Sequence, residues 1–145
     1  MTETIVFKLV SSDFEYQQVL SIRKEVFVEE QKVSESIEID EFETTSDHFL
    51  VLINNQPAGC GRLRLKGHYA KFERIATLTQ FRGRGFGSQL MSFMMGHARQ
   101  KYPNAIPYMH SQAEAIPFYQ KLGWKAEGEI FDEANISHQV MVFKN

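Results

Sequence analysis

The stretch QFRGRGFGSQL, residues 80–90, constrains the fold more than any other part of this chain. It sets Gly83, Gly85 and Gly87 between an apolar run at 70–78, read as a strand, and a helical stripe that begins at once. Phe86, Leu90, Met94 and Ala98 recur every four residues, with Met91 and Met95 beside them. The stripe ends near KYPN. Gly96 inside it costs about 1 kcal/mol relative to alanine, so packing has to hold this helix. Strand, glycine turn and helix in that order aim backbone N–H groups at one point, and the missing Cβ lets an anion such as a diphosphate approach. A plain turn needing positive φ would use the same glycines, so the rest of the chain has to decide. Two nucleotide loops are excluded by spacing. G-x-G-x-G is not the dinucleotide fingerprint G-x-G-x-x-G, whose later acid has no counterpart in AIPYMH, and G-x-x-x-x-G-K-[ST] is absent.

Residues 5–10 (IVFKLV) read as a strand that ends at Ser11, Ser12 and Asp13, any of which can cap a following helix. Over 14–28 the apolar positions Val19, Ile22, Val26 and Phe27 predict an amphipathic helix that also carries Arg23 and Glu25. The acidic stretch 29–47 lacks sustained periodicity and reads as a short helical turn and a loop, either a lid or a segment facing a substrate. Strands at 48–53, 58–65 and 70–78, joined by NNQP and KGH, form an antiparallel meander. After the glycine helix come a strand at 105–110, a short helix at 113–123 stopped by Gly123, and strands at 124–131 and 137–143. The fold class predicted is α/β in the α+β sense: a mixed, mostly antiparallel central sheet of about six to seven strands with helices on both faces.

A length of 145 residues suits one domain, 1–145, and 43% hydrophobic residues with 12 phenylalanines exclude a disordered chain. Sixteen basic and 18 acidic residues give a net charge of −2, which offers no global field to nucleic acid or anionic lipid. We therefore expect no nucleic-acid partner and no membrane partner, and the single RGRG element is poor support for RNA binding. The aliphatic runs, such as FLVLI, are strand-sized, and MTETIVFKLV has no basic n-region, which favours a soluble cytoplasmic protein. The lone Cys60 excludes an intramolecular disulfide framework, and five histidines without ligand spacing predict no metal.

The glycine segment resembles the acyl-CoA pyrophosphate loop of the GNAT acetyltransferases, Gln/Arg-x-x-Gly-x-Gly/Ala, from Arg82 through Gly85 to Gly87. FERIATLTQFRGRGFGSQLM is similar to that family's fourth strand, loop and third helix, and AIPFYQKLGW to its later A-x-x-F-Y-x-x-x-G-F signature. IRKEVFVEEQ, SDHFL and ISHQVM resemble the ElaA/YjcF-like subgroup of small bacterial members. The loop and the Phe-Tyr segment, together and in order, are what make the resemblance specific.

The resemblance implies acetyl-CoA as acyl donor and direct transfer to a primary amine, either a small molecule or a peptide, in a protein of a family that often forms homodimers. Ile75, Ala76 and Thr77 would pair with the pantetheine amides. Backbone amides of Gly83, Arg84, Gly85, Phe86, Gly87 and Ser88 would hold the pyrophosphate, with Arg82 and Arg84 adding charge; the side chain of Phe86 opens the apolar stripe and belongs to the core. Tyr119 matches the tyrosine beside the CoA sulfur, a phenol suited to protonating a thiolate. Glu73, His110 and His138 are candidates for the base; salt bridges of Glu73 to Arg62, Arg64 or Arg74 are the alternative. Glu30, Gln31 and Gln112 are candidate acceptor contacts, and an acidic loop lining the cleft would favour a cationic amine. Two further readings stay open: an acyltransferase like the acyl-homoserine-lactone synthases, echoed by Arg23 to Phe27 and Glu73-Arg74, and a non-catalytic CoA-binding module.

Overall fold

The computed structural model describes residues 2–144. Its elements run β1 (Ile5–Leu9), α1 (Asp13–Arg23), α2 (Glu35–Glu38), β2 (Asp47–Ile53), β3 (Gln56–Lys66), β4 (Tyr69–Thr77), α3 (Phe86–Lys101), β5 (Ile106–Gln112), α4 (Ile116–Lys121), β6 (Lys125–Glu133) and β7 (Ile136–Val142). The strands form one seven-stranded sheet in the order β1-β2-β3-β4-β5-β7-β6. Every neighbouring pair is antiparallel except β4 with β5.

The helices divide between the two faces, as the element order predicts. The stripe Phe86, Leu90, Met91, Met94, Met95 and Ala98 is buried, and α3 lays it on Phe49, Leu63, Phe72, Met109 and Met141. Gly61 sets how close α3 comes, because a Cβ there would lie 2.5 Å from the Met94 sulfur. On the opposite face Val19, Ile22 and Val26 cover Leu50, Cys60 and Ala76. Ser12 caps α1 by accepting a hydrogen bond from the Glu15 amide at 3.2 Å.

Three boundaries differ from the sequence reading. The first helix does not run as α to residue 28. It ends at Arg23 and widens into π-helical turns over Lys24–Glu30, closed by the Gln31 amide donating to the Val26 carbonyl at 3.0 Å. The wider turn keeps Val26 in the core while Phe27 and Gln31 reach the cleft described below. The hairpins are also tighter than their sequences suggest: Asn54 with Asn55 and Ala134 with Asn135 form two-residue turns at positive φ, so β3 starts at Gln56 and β6 extends to Glu133. Lastly, residues 113–115 form a 3₁₀ turn, and α4 proper begins at Ile116.

Candidate active site

β4 and β5 pair only from Tyr69↔Ile106 to Lys71↔Tyr108 and then separate. β4 turns away at a bulge against β3, where the register shifts between Cys60 and Arg62 and Arg74 sits at φ 54. A left-handed backbone at a residue with a Cβ costs about 1–3 kcal/mol, a strain typical of functional strands. The gap opens a cleft of about 360 Å³. Ile75 lines it, so the edge of β4 expected to face a pantetheine lies along the opening.

The glycine loop follows β4 directly. Gly83 and Gly85 take φ of 77 and 86, and Gly85 is the N-cap of α3. The Gln89 amide donates to the Gly85 carbonyl at 3.1 Å. The amides of Phe86, Gly87 and Ser88 precede that bond and belong to the turn whose N–H groups have no intrahelical acceptor. A Cβ at Gly87 would point between Phe118 of α4, at 3.4 Å from its ring, and the Thr77 hydroxyl at 4.0 Å. The glycine thus lets the head of α3 pack directly against β4 and α4, with the amides of its first turn unspent. Phe86 is 6% exposed and belongs to the core.

The two arginines of the loop are already engaged. Arg82 donates through Nε to the Thr77 carbonyl (2.8 Å) and through both Nη atoms to Glu30 (2.9 and 2.8 Å). Arg84 pairs with Glu3 and lies 5.0 Å from the Phe86 ring. The structure thus separates Glu30 from the acceptor candidates. Its carboxylate is turned to Arg82 at the surface, outside the cleft lining, because the π-helical turn faces it away. Gln31 and Gln112 do line the cleft, and Gln112 Nε2 donates to Gln31 Oε1 at 2.7 Å, joining the end of β5 to the end of the π-helical turn.

Tyr119 of α4 also lines the cleft and is 7% exposed, its ring set against Phe118 and Trp124. Burial raises its pKa well above 10, so the phenol keeps its proton through neutrality and is a donor.

Glu73 is placed differently from a free base. Its Oε2 accepts from Arg62 Nε at 2.7 Å, from Arg62 Nη2 and from Arg64 Nε at 2.9 Å, while Oε1 lies 3.4 Å from Lys71 Nζ. Burial alone would raise its pKa; Arg62, Lys71 and Arg64 outweigh that and hold the carboxyl below its ordinary range. The ion-pair alternative describes this residue, with three arginine donors on Oε2 and a longer ion pair to Lys71 on Oε1. Glu73 belongs to a larger network. Fully buried Arg23 holds Glu38 and Glu43, Arg62 also holds Asp40 and Glu43, and Arg74 reaches from its bulge to Glu38 and Asp40. Glu38 and Asp40 of the acidic loop therefore reach the cleft already paired with arginines from α1, β3 and β4.

The two histidines share a partner that sequence reasoning missed. His110 Nδ1 donates to Glu133 Oε1 (2.9 Å), and His110 Nε2 accepts from the Tyr108 hydroxyl (2.8 Å), so both ring nitrogens are occupied. His138 Nδ1 donates to the Ile136 carbonyl at 2.7 Å, which fixes its tautomer and leaves an Nε2 lone pair 3.8 Å from Glu133 Oε2. His138, His110 and Glu133 all line the cleft. Glu133 escaped notice because EAN lacks the usual glycine of a two-residue turn, so 132–136 read as loop; the acid five residues before His138 was the available signal. Arg64 and Lys71, also in the lining, escaped because alternating charge on a strand reads as a solvated face.

The sequence profile described as Acetyltransferase (GNAT) domain matches residues 10–145. The chain is 38% identical over 122 residues to the uncharacterized N-acetyltransferase YjcF of Bacillus subtilis strain 168, covering 83% of this chain and 86% of that protein. Among solved structures it is similar to Escherichia coli ElaA, with a TM-score of 0.88 at 23% identity over 97% of this chain and 100% of that one. It is also similar to a GNAT family acetyltransferase from Elizabethkingia anophelis with acetyl-CoA bound, with a TM-score of 0.65 at 18% identity over 95% and 94% of the two chains. A sheet parted between β4 and β5, a glycine loop at the head of the following helix, and a family profile spanning nearly the whole chain agree: this protein belongs to the GNAT acetyltransferase family and is an acyltransferase.

Proposed function

We propose that the protein transfers the acetyl group of acetyl-CoA directly to a primary amine, with both substrates bound together. The observation that carries this reading is a cleft at the parting of β4 and β5 that holds both a buried, protonated phenol and an imidazole, with the glycine turn and its unspent amides at the head of the helix that follows β4. When bound, acetyl-CoA supplies an activated thioester. The acetyl-CoA-bound relative of the same fold supports the donor.

Amides of Gly83 to Ser88 hold the pyrophosphate at the head of α3. The free edge of β4 at Ile75 to Thr77 orients the pantetheine arm toward α4. Tyr119 gives its proton to the departing thiolate at Oη. His138 receives the ammonium proton at Nε2, and Glu133 stabilises the imidazolium that results. Glu73 holds Arg62, Arg64 and Lys71 in place and moves no proton.

Initial rates of thiol release, measured across concentrations of acetyl-CoA and of an accepted amine, test this directly. Intersecting double-reciprocal lines are expected for a ternary complex. Parallel lines would overturn direct transfer.

A further inference from the structure

Four carboxylates line the cleft: Glu38, Asp40, Glu73 and Glu133. Each of the first three is bound by at least one arginine. Glu133 differs: its close partners among the described residues are the imidazoles of His110 and His138, and its side chain is 47% exposed. The same cleft is lined by two cations with spare donors, Arg64 and Lys71. Arg64 spends Nε on Glu73, and its guanidinium carbon lies 3.8 Å from the centre of the Phe42 ring. Its Nη groups find no hydrogen-bond acceptor among the described residues. Among the described residues Lys71 Nζ has one ion-pair partner, Glu73 Oε1 at 3.4 Å, on a carboxylate that already serves Arg62.

Arg64 and Lys71 are direct neighbours across β3 and β4, so their side chains leave the same face of the sheet. Both side chains are largely buried, 13% and 11% exposed. Burial, with Arg64 and Lys66 nearby, depresses the Lys71 pKa against the pull of Glu73, as expected of a cation short of counter-charge. These two cannot serve the pyrophosphate, since Lys71 is six residues from Thr77 along β4, about 20 Å at strand rise. Lys71 on β4 and Glu133 at the end of β6 nevertheless line the same cleft.

We infer that the acceptor is a small zwitterion of amino-acid type, its ammonium held by Glu133 and His138 and its carboxylate by Arg64 and Lys71. This assignment rests on the acetyl-transfer reading and narrows it. A free amino acid carries both charges on neighbouring carbons, matching the cleft's polarity. A peptide N-terminus or a lysine side chain lacks the adjacent carboxylate and leaves the two cations unpaired.

The test compares kcat/KM by thiol release for free L-amino acids and for the carboxamide of each, which keeps the amine and removes the carboxylate. The carboxamides have the lower amine pKa and more free base, so any preference for the acids is won against that bias. We expect the accepted acid to exceed its carboxamide by about tenfold or more, chiefly through KM. In Arg64→Gln and Lys71→Gln that ratio falls toward one, and Arg64→Lys keeps part of it. Titration of acetyl-CoA on each variant reports separately that the fold and the glycine loop are intact. Carboxamides turned over as well as the acids, or a ratio that survives both glutamine variants, overturn the assignment and leave acetyl transfer standing. No turnover of any amine by a protein that binds acetyl-CoA overturns the transfer reading, and this assignment with it.

Discussion

Replacing Glu73 by Gln separates two accounts of the cleft, because a base and a counter-ion leave different traces. In the structure Glu73 offers one oxygen to Arg62, which is 1% exposed, and to Arg64, and the other faces Lys71. Removing one partner of a buried ion pair costs about 3–5 kcal/mol, because the charge left behind stays buried. Arg62 keeps Asp40 and Glu43, so the lower end applies, about 3 kcal/mol. At about 2–4 °C per kcal/mol for a domain of this size, Tm should fall by about 6–12 °C. Thermal unfolding measures that fall, and kcat is measured at a temperature well below the variant's Tm. Since Glu73 moves no proton in this account, kcat should drop less than about tenfold, whereas loss of a general base costs about a hundredfold or more. A hundredfold loss of kcat in a variant whose Tm has barely moved would refute the argument and restore Glu73 as the base.

Gly87→Glu removes a helical glycine and adds an acid in the first turn of α3, and it sets a carboxylate beside the amides proposed to hold the pyrophosphate. At about 4 Å and an effective dielectric near 20, the repulsion is about 4 kcal/mol, roughly a thousandfold weaker acetyl-CoA binding by calorimetry. Gly87→Ala brings only a Cβ 3.4 Å from the end of the Phe118 ring and should bind within about threefold of wild type. Tyr119→Phe should lower kcat about a hundredfold while leaving acetyl-CoA affinity nearly unchanged, as read by steady-state kinetics and titration. Gly96→Ala, on the exposed side of α3 with nothing within 4 Å of the added Cβ, should stabilise the fold by about 1 kcal/mol in a denaturant titration. Acid should act through the arginine network. Burial works to raise the Glu43 pKa, but hydrogen bonding and charge from Arg23 push it down to about 2, and Arg62 and Arg74 take Asp40 lower still. Carboxyls with lowered folded pKa stabilise fully above their unfolded values and lose that contribution as pH falls, so Tm should be level above about pH 5 and drop steeply between about pH 4.5 and 2. A flat Tm down to pH 3 would show the network contributes little.

What the sequence made legible was the periodic part. The four-residue stripe from Phe86 to Ala98 named the buried face of α3 because a helix on a sheet must bury one side, and the glycine triplet marked the head of that helix because only glycine sits easily at φ 77 and 86. The π-helical turn at 24–30 left no such mark: Val26 and Phe27 fit an α-helical period as well as the wider one, and the choice is made by packing on Leu50 and Cys60. The same limit applies to charge. Arg23, Glu38 and Glu43 are up to 20 positions apart, and Glu73 meets Arg62 only because β3 and β4 pair in that register. Sequence spacing could propose Glu73 as a base or a counter-ion; only the fold shows the three arginine donors gathered on its Oε2. Glu133 was hidden by a two-residue turn without glycine, and with it the link between His110 and His138.

Titrating acetyl-CoA into the wild-type protein by calorimetry tests the central claim most directly, that the glycine turn at the head of α3 is built for an acyl-CoA. One molecule bound per chain, with a dissociation constant within about 1 μM to 1 mM and competed by free CoA, is the predicted result. No detectable binding to folded protein across that range would contradict the account at its root.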